Sequence, residues 1–234
     1  MSINRARTVR TVLKAVDSVQ PKLAKKHTEL FKVFCASVAE QLREPFLERH
    51  GAESVPLRIR GTFDWIQRRS KDAILVQIVP NGEARCLVRT CMRDQAFIVD
   101  TVRLLVQAYG ARVETGFNAV LRVDRDKAGA VKTIGASESP LESVLQLEID
   151  GLDPADFEIF SSRLEENLRL SRGMVEDFSE IVAVLRDLSS QFTLKGQADA
   201  RRAEHWHETA AFLEWLLSDN FVFMGLVYPK GRLG

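Results

Sequence analysis

Apolar residues recur at helical intervals through the first fifty positions of the chain. They form two series, Val9, Val12, Leu13 and Val16, then Leu30, Phe34, Val38 and Leu42. Spacings of three and four place such side chains on one face of a helix. The pattern therefore predicts an N-terminal helical segment over residues 1–54.

From residue 55 onward, apolar and polar residues alternate as they do in β-strands. The predicted strands cover residues 57–60, 73–79, 84–92, 113–123, 130–135 and 145–149. Asn81 and Gly82 lie between the second and the third, and this pair is the strongest short hairpin signal because both residues tolerate positive φ. In the last strand, Gln146 and Glu148 alternate with apolar residues.

Helical spacing returns twice among and after these strands. The first helix follows Asp94, a suitable N-cap, and stops at Gly110. Its apolar face comprises Ile98, Val102, Leu105, Val106 and Tyr109. The second begins at Asp153 and Pro154 and runs to about residue 191, with a break predicted near Gly173.

The central order of strand, helix, strand, strand and helix predicts an α+β fold of the ferredoxin-like kind. We expect an antiparallel sheet with helices on one face, preceded and followed by helices. Three parts are predicted: the helical segment 1–54, the α+β domain 55–194, and residues 195–234. The last part is expected to contain a polar linker at 195–199, an amphipathic helix, and a strand at 221–228 that starts a following domain.

Composition narrows the classes of function. The formal net charge of +1 gives no overall attraction to nucleic acid or membranes, and no apolar run is long enough to span a bilayer. The basic N-terminal residues have few aromatic neighbours, so a solvated helix face is favoured over a nucleic-acid surface. Three cysteines, Cys35, Cys86 and Cys91, make no disulfide framework and indicate reduced thiols in the cytoplasm.

No motif in the sequence indicates catalysis. There is no Gly-x-Gly-x-x-Gly after a strand and no Walker loop, so no cofactor-binding residues are assigned. His205 and His207 are two apart on a predicted helix and point in different directions, whereas metal pairs use spacings of three or four. We expect no catalytic residue and no metal ligand in this chain.

Asp100 is the one carboxylate inside the dense apolar run that follows Gln95. It lies in the first turns of a helix, where the dipole favours a negative charge, and Arg103 is close enough in sequence to pair with it. Phe97 and Leu104 share its side of the helix, so we expect Asp100 to border a second packed surface. A structural or ligand-contact role is favoured over catalysis.

The loop before this helix is a candidate binding site. It joins a strand to a helix N-terminus, where exposed backbone N–H groups can hold a carboxylate. A small acidic metabolite such as an amino acid could bind there. The candidate effector-binding residues are Arg93, Asp94, Gln95, Asp100 and Thr101.

Two stretches carry a family resemblance. Residues 96–102, AFIVDTV, resemble the PFLVDSV element of the large bacterial NAD-specific glutamate dehydrogenases, with Ala96 in place of the usual proline. Residues 208–225, ETAAFLEWLLSDNFVFMG, resemble their EAAAFLRWLADDNFTFLGY element. The order and separation also agree, so the resemblance covers about residues 84–228.

The resemblance implies an ACT-like domain in the non-catalytic N-terminal region of such an oxidoreductase. It implies regulation or assembly, with an amino acid as a possible allosteric effector. NAD and the oxidative deamination of L-glutamate to 2-oxoglutarate would belong to downstream domains absent from this chain. The implied partners are the other domains of the same polypeptide and further copies in a homo-oligomer. The alternative is a freestanding ACT-like ligand-binding or scaffold protein that contacts macromolecules through its basic N-terminal helices.

Overall fold

A computed structural model describes residues 4–19, 25–82 and 85–225. The helices are α1 (Arg5–Val19), α2 (Lys25–Gln41), α3 (Glu44–His50), α4 (Val55–Trp65), α5 (Ile98–Ala108), α6 (Phe157–Ala198) and α7 (Ala203–Trp215). The strands are β1 (Leu75–Pro80), β2 (Arg85–Arg93), β3 (Arg112–Arg125), β4 (Val131–Ile134) and β5 (Leu141–Asp150). The chain divides into two compact units, which meet in sequence between Arg169 and Leu170.

The first unit is built on one antiparallel sheet with the strand order β1-β2-β5-β3-β4. The predicted α+β order is confirmed with one further strand: β2, α5, β3, β4, β5 and α6 follow one another, and the short β4 lies between β3 and β5. β5 pairs with both β2 and β3 and therefore lies in the middle of the sheet. The side chains on its two faces belong to two separate buried clusters, one on each side of the sheet.

One face of the sheet is apolar and carries α5 and the start of α6. Leu145, Leu147 and Ile149 of β5 point this way, and Phe160 and Leu164 of α6 lie in the same buried cluster. Ile98, Val102 and Val106 of α5 complete it, so the apolar face predicted for that helix is confirmed. This is the ACT-like face, with helices on one side of an antiparallel sheet.

The opposite face is covered by the helices that precede the sheet. α2 packs on β3 and β4, α3 packs on β3, and α1 packs against α2 and α4. Phe31 and Phe34 of α2 lie beside Phe63 of α4, with ring centroids 5.0 Å and 5.4 Å apart, and Phe46 of α3 meets Phe117 edge-on at 6.0 Å. The predicted helices before the ACT-like sheet are thus confirmed, and they form its second layer.

The strand predicted at 57–60 is wrong, because these residues lie in α4. The short alternation of Leu57 and Ile59 with arginines also fits the start of a helical repeat. Ile59 is buried together with Val55, Thr62 and Phe63 at intervals of three and four, while Leu57 is 68% exposed. Pro56, which lies within the first turn, is compatible with a helix start.

The second unit begins within α6, which continues without interruption to Ala198. The break predicted near Gly173 is wrong, since a single glycine costs a helix only about 1 kcal/mol. The predicted linker at 195–199 is also mostly helical. The side chain of Phe192 stacks on Trp206 of α7 at 5.6 Å, with the ammonium of Lys195 5.3 Å from both ring centres.

The last strand predicted from the sequence, at residues 221–228, is only partly within the described residues. Residues 221–225 are in neither helix nor strand, and the rest of the strand predicted at 221–228 lies outside the described residues. The domain boundaries at residues 54 and 194 stay predictions.

Candidate functional site

The predicted effector-binding residues lie at the junction between β2 and α5. The backbone N–H of Asp94 donates to the carbonyl of Leu141 at 3.0 Å, which extends the pairing of β2 with β5 by one residue. Consequently α5 begins only at Ile98, and the N-cap role predicted for Asp94 is wrong. Phe97 occupies the residue before the helix with φ of 69°, a left-handed conformation that bulky side chains rarely adopt.

The five side chains differ in their exposure at this junction. Arg93 and Asp100 are exposed, whereas Asp94, Gln95 and Thr101 are half-buried. The Nε2 amide of Gln95 is enclosed without a hydrogen-bond partner in the described part of the chain. Burial raises the pKa of Asp94, an effect that a hydrogen bond from the backbone N–H of Gln95 partly opposes. The junction thus combines a cation, two carboxylates and an unpaired amide.

The second packed surface expected beside Asp100 is not formed by the described residues. Phe97 is 54% exposed and Leu104 is 65% exposed. Asp100 and Arg103 are both on the surface as well. This side of α5 therefore carries apolar and charged groups that remain open to solvent or to a partner.

The covered face of β5 carries a buried polar row that the sequence analysis did not identify. Glu142, Gln146 and Glu148 point toward the N-terminal helices and retain only 2%, 1% and 8% of their exposure. Buried polar groups require partners, and buried charges require opposite charges. Helices α3 and α4, the residues after α4, and the neighbouring strands supply nearly all of them.

Glu142 is held by two arginines. Arg69 donates from Nη2 to Oε1 at 2.7 Å, and Arg125 donates from Nε to Oε1 and from Nη2 to Oε2, both at 2.8 Å. Burial opposes ionisation of Glu142, but the hydrogen bonds from Arg125 and Arg69 outweigh it and hold the pKa below its usual range. The carboxylate is therefore charged and saturated at neutral pH, as befits a structural group.

The nearby thiol of Cys91 is unreactive in this environment. Its Sγ lies 3.5 Å from Oε2 of Glu142. Burial, reinforced by the charge of Glu142, raises the pKa of Cys91 to about 12. A thiol with so high a pKa supplies almost no thiolate at neutral pH, which favours a structural role for Cys91.

Glu148 forms a second ionic cluster at the end of α3. Nε2 of His50 lies 2.7 Å from Oε1, and Arg49 and Arg58 approach the same carboxylate at 3.7 Å and 3.6 Å. Neither ring nitrogen of His50 has a well-aligned hydrogen bond within the described residues. Burial lowers the pKa of His50, and it outweighs the opposing charge of Glu148.

Gln146 forms the centre of a third, largely uncharged group. Its Oε1 accepts hydrogen bonds from the hydroxyl of Thr62 in α4 and from Nε of Arg89 in β2. Arg89 also donates from Nη1 to Oε1 of Gln77 at 3.1 Å. Burial alone accounts for the lowered pKa of Arg89, because no carboxylate of the described chain reaches it.

The described residues show neither a metal-ligand cluster nor a membrane-spanning helix. No group of three or more His, Cys, Asp or Glu side chains in the described ranges converges as a metal site. Among the helices that the structure describes, none combines the length and apolar character needed to cross a membrane.

Comparison with known proteins gives a consistent family. The model of the glutamate dehydrogenase ACT1 domain matches residues 34–164, from the middle of α2 to the first turns of α6. NAD-specific glutamate dehydrogenase of Halomonas elongata is 34% identical over 138 residues, and that of Pseudomonas aeruginosa is 32% identical over 139 residues. Each match covers 56% of this chain but only 8% of the relative. No solved structure matches the chain significantly.

We predict that Glu142→Gln lowers the free energy of unfolding by about 3–5 kcal/mol, because it leaves Arg69 and Arg125 buried without a counter-charge. Glu165→Gln is the matched control, since it removes an exposed helical pair with Arg169 and should cost less than about 0.5 kcal/mol. Urea denaturation of both variants measures the difference. Equal losses would show that the buried pair contributes no more than a surface one.

We predict that His50 makes the protein less stable as the pH falls below about 6.5. Its pKa is lowered in the folded state, so the unfolded chain binds the proton more readily and stability present above pH 6.5 is lost on acidification. The free energy of unfolding, measured from pH 8 to pH 5, should fall less in His50→Gln than in the wild type. The exposed His205→Gln should follow the wild type. A wild type that gains stability on acidification relative to His50→Gln would mean that Glu148 dominates instead.

Proposed function

The chain belongs to the family of the glutamate dehydrogenase ACT1 domain, and we propose that it is a regulatory and assembly module of a large NAD-specific glutamate dehydrogenase. In that protein, other domains would bind NAD and oxidise L-glutamate to 2-oxoglutarate. The observation that carries the proposal is the size of the relatives, since a match over 56% of this chain spans only 8% of each of them.

The chemistry of the described residues supports a non-catalytic role. The buried carboxylates Glu142 and Glu148 face arginines or histidine at ion-pair distance. The cysteines Cys35, Cys86 and Cys91 are free and buried, and burial raises the pKa of each. Groups that are saturated or enclosed in this way stabilise a fold rather than activate a substrate. Three reduced thiols also agree with our proposal of a cytoplasmic protein.

The β2–α5 junction supports the sensing part of the proposal. An amino acid carries one carboxylate and one ammonium group, and the junction offers a complementary arginine, two carboxylates and the free amide of Gln95. The exposed Phe97 and Leu104 beside it support an assembly role, because apolar side chains on a surface favour contact with another domain or subunit.

A freestanding scaffold is the second candidate, and the groove between α1 and α2 favours it. This groove of about 550 Å³ has an apolar floor of Ala6, Val9 and Leu13. Arg10, Lys14 and Lys32 surround it, and Asp17 pairs with Lys32 at 3.2 Å. Such a surface suits an acidic partner, and its binding would weaken steeply with salt.

The mass of the native protein distinguishes the two candidates. We expect an antibody raised against this chain to detect, in an extract of the source cells, a band many times larger than 26.4 kDa. A large band with glutamate dehydrogenase activity in the same immunoprecipitate supports the module. A band at 26.4 kDa contradicts it and favours the freestanding protein.

The sensing role is tested by isothermal titration of the chain with each of the common amino acids. We expect saturable heat from at least one of them, and loss of that heat in Arg93→Gln combined with Asp100→Asn, because both side chains are exposed at the junction and would contact the ligand. Arg103→Gln, on the exposed surface of α5, is the control. Absence of heat from every amino acid would remove the sensing role and leave the assembly role.

A further inference from the structure

Arg89 is a buried cation whose charge the described chain does not neutralise. It lies on β2 between Gln77 of β1 and Gln146 of β5, and it keeps only 7% of its exposure. Its hydrogen-bond acceptors among the described residues are the amide oxygens of Gln146, at 3.3 Å, and Gln77, at 3.1 Å. Both are neutral groups.

Two other arginines with buried side chains, Arg69 and Arg125, have the carboxylate partner that Arg89 lacks among the described residues. Arg69 and Arg125 are buried to a similar degree, and they share the carboxylate of Glu142 at 2.7 Å and 2.8 Å. A guanidinium withdrawn from water is unfavourable unless an anion replaces the lost solvation. Arg89 differs from these two arginines, because its acceptors among the described residues are neutral amides.

The guanidinium has a donor edge available for such an anion. Nη2 donates to no acceptor in the described part of the chain, while Nε and Nη1 are held by the two glutamines. Gly61 of α4 is exposed and lies directly against this edge. A Cβ atom at position 61 would lie 3.2 Å from Nη2 and 3.4 Å from Nη1, so Gly61 packs close to this edge and a side chain there would crowd it.

The charges around this edge define the anion that would fit. Arg58 approaches Glu148 at 3.6 Å, and Arg60 binds Asp64 at 2.8 Å, so the arginines of α4 already have carboxylate partners. The uncompensated charge is therefore a single positive one. A planar guanidinium matches a carboxylate in shape and in charge, whereas a phosphate dianion prefers several cations.

We propose that Arg89 binds the carboxylate group of a small anionic ligand through its Nη2 edge, beside Gly61. The glutamines Gln77 and Gln146 hold the guanidinium in place, and the Nη2 edge donates to the ligand. This site is separate from the β2–α5 junction, because Arg89 precedes Arg93 by four residues of extended strand, or about 13 Å. It does not depend on the proposed dehydrogenase module.

The test is a titration of the intact chain with sodium acetate at constant ionic strength, with chloride as the exchanged anion. The arginine Nε–Hε signals of the protein are followed by nuclear magnetic resonance, and the signal missing from Arg89→Gln identifies Arg89. We expect a saturable shift of that signal in the wild type. Because the contact is charge-assisted, Arg89→Gln should abolish saturable binding or weaken it at least about tenfold, as read from backbone amides near Gly61.

Two further variants separate binding from folding. Gly61→Ala favours the helical conformation of α4, yet it places a methyl group against Nη2, so it should weaken acetate binding severalfold in a well-folded protein. Arg103→Gln, on the exposed surface of α5, should bind acetate as the wild type does. Circular dichroism and urea denaturation confirm that each variant is folded.

Three outcomes would overturn the proposal. They are an Arg89 signal in the wild type that does not move saturably with acetate, binding that persists unchanged in Arg89→Gln, and inorganic phosphate binding more tightly than acetate.

The amino-acid titration distinguishes this site from the junction. If Arg89→Gln loses acetate binding but keeps the heat of the amino acid, both sites stand. If acetate binding fails while that heat remains, only the Arg89 site is lost.

Discussion

The requirement to satisfy a polar row on the central strand organises this domain. On the face of β5 toward the N-terminal helices, Glu142, Gln146 and Glu148 are polar and buried. Arg69 and Arg125 satisfy Glu142, while Thr62 reaches Gln146 and His50 reaches Glu148. Because half of these partners come from α3 and α4, those helices cannot leave without exposing uncompensated groups. The polar row thus ties the preceding helices to the sheet more specifically than apolar packing alone would.

The two faces of β5 differ in polarity, so the strand packs against apolar helices on one side and against polar partners on the other. Leu145, Leu147 and Ile149 pack on α5 and α6 in a cluster that any well-shaped apolar helix could cover. The other face demands particular donors at particular positions. Glu142, for example, accepts from three nitrogens of Arg69 and Arg125 within 2.8 Å. The match of the family model from residue 34 onward agrees with this, since it includes the second half of α2, α3 and α4 as well as the sheet.

Much of the sheet could be predicted from the sequence, because its central strands carry a period of two. β3 alternates in burial along nearly its whole length, whereas β5 is buried on both faces and alternates only in the polarity of residues 145–149. Prediction failed for Leu57 to Arg60, where four residues are too few to separate a period of two from the start of a helical face. It also failed at Gly173, because tertiary and helical context decides whether one glycine interrupts a helix.

The candidate sites could be predicted only where the signal was local. The strand-to-helix junction at residues 93–101 is visible in the sequence, but the cap position was not, because the pairing of Asp94 with Leu141 depends on a residue 47 positions away. The partners of the polar row are equally distant: Arg69 and Glu142 are 73 residues apart, and Thr62 and Gln146 are 84 apart. Alternation showed that Gln146 and Glu148 share a face, yet only the fold could show that helices cover it.

Arg89 of β2 differs from the buried charges of the polar row, because no opposite charge of the described chain pairs with it. The described chain pairs Glu142 and Glu148 with arginines, but it surrounds Arg89 with amides and a glycine. An apolar residue at this place would avoid the cost of desolvation and would pack as well between β1 and β5. If an anion binds Arg89 as we propose, the stability of the domain should rise with the concentration of that anion. Because Gln146, which holds Arg89, also accepts from Thr62 of α4, the bound anion would then be coupled to the packing of that helix on the sheet.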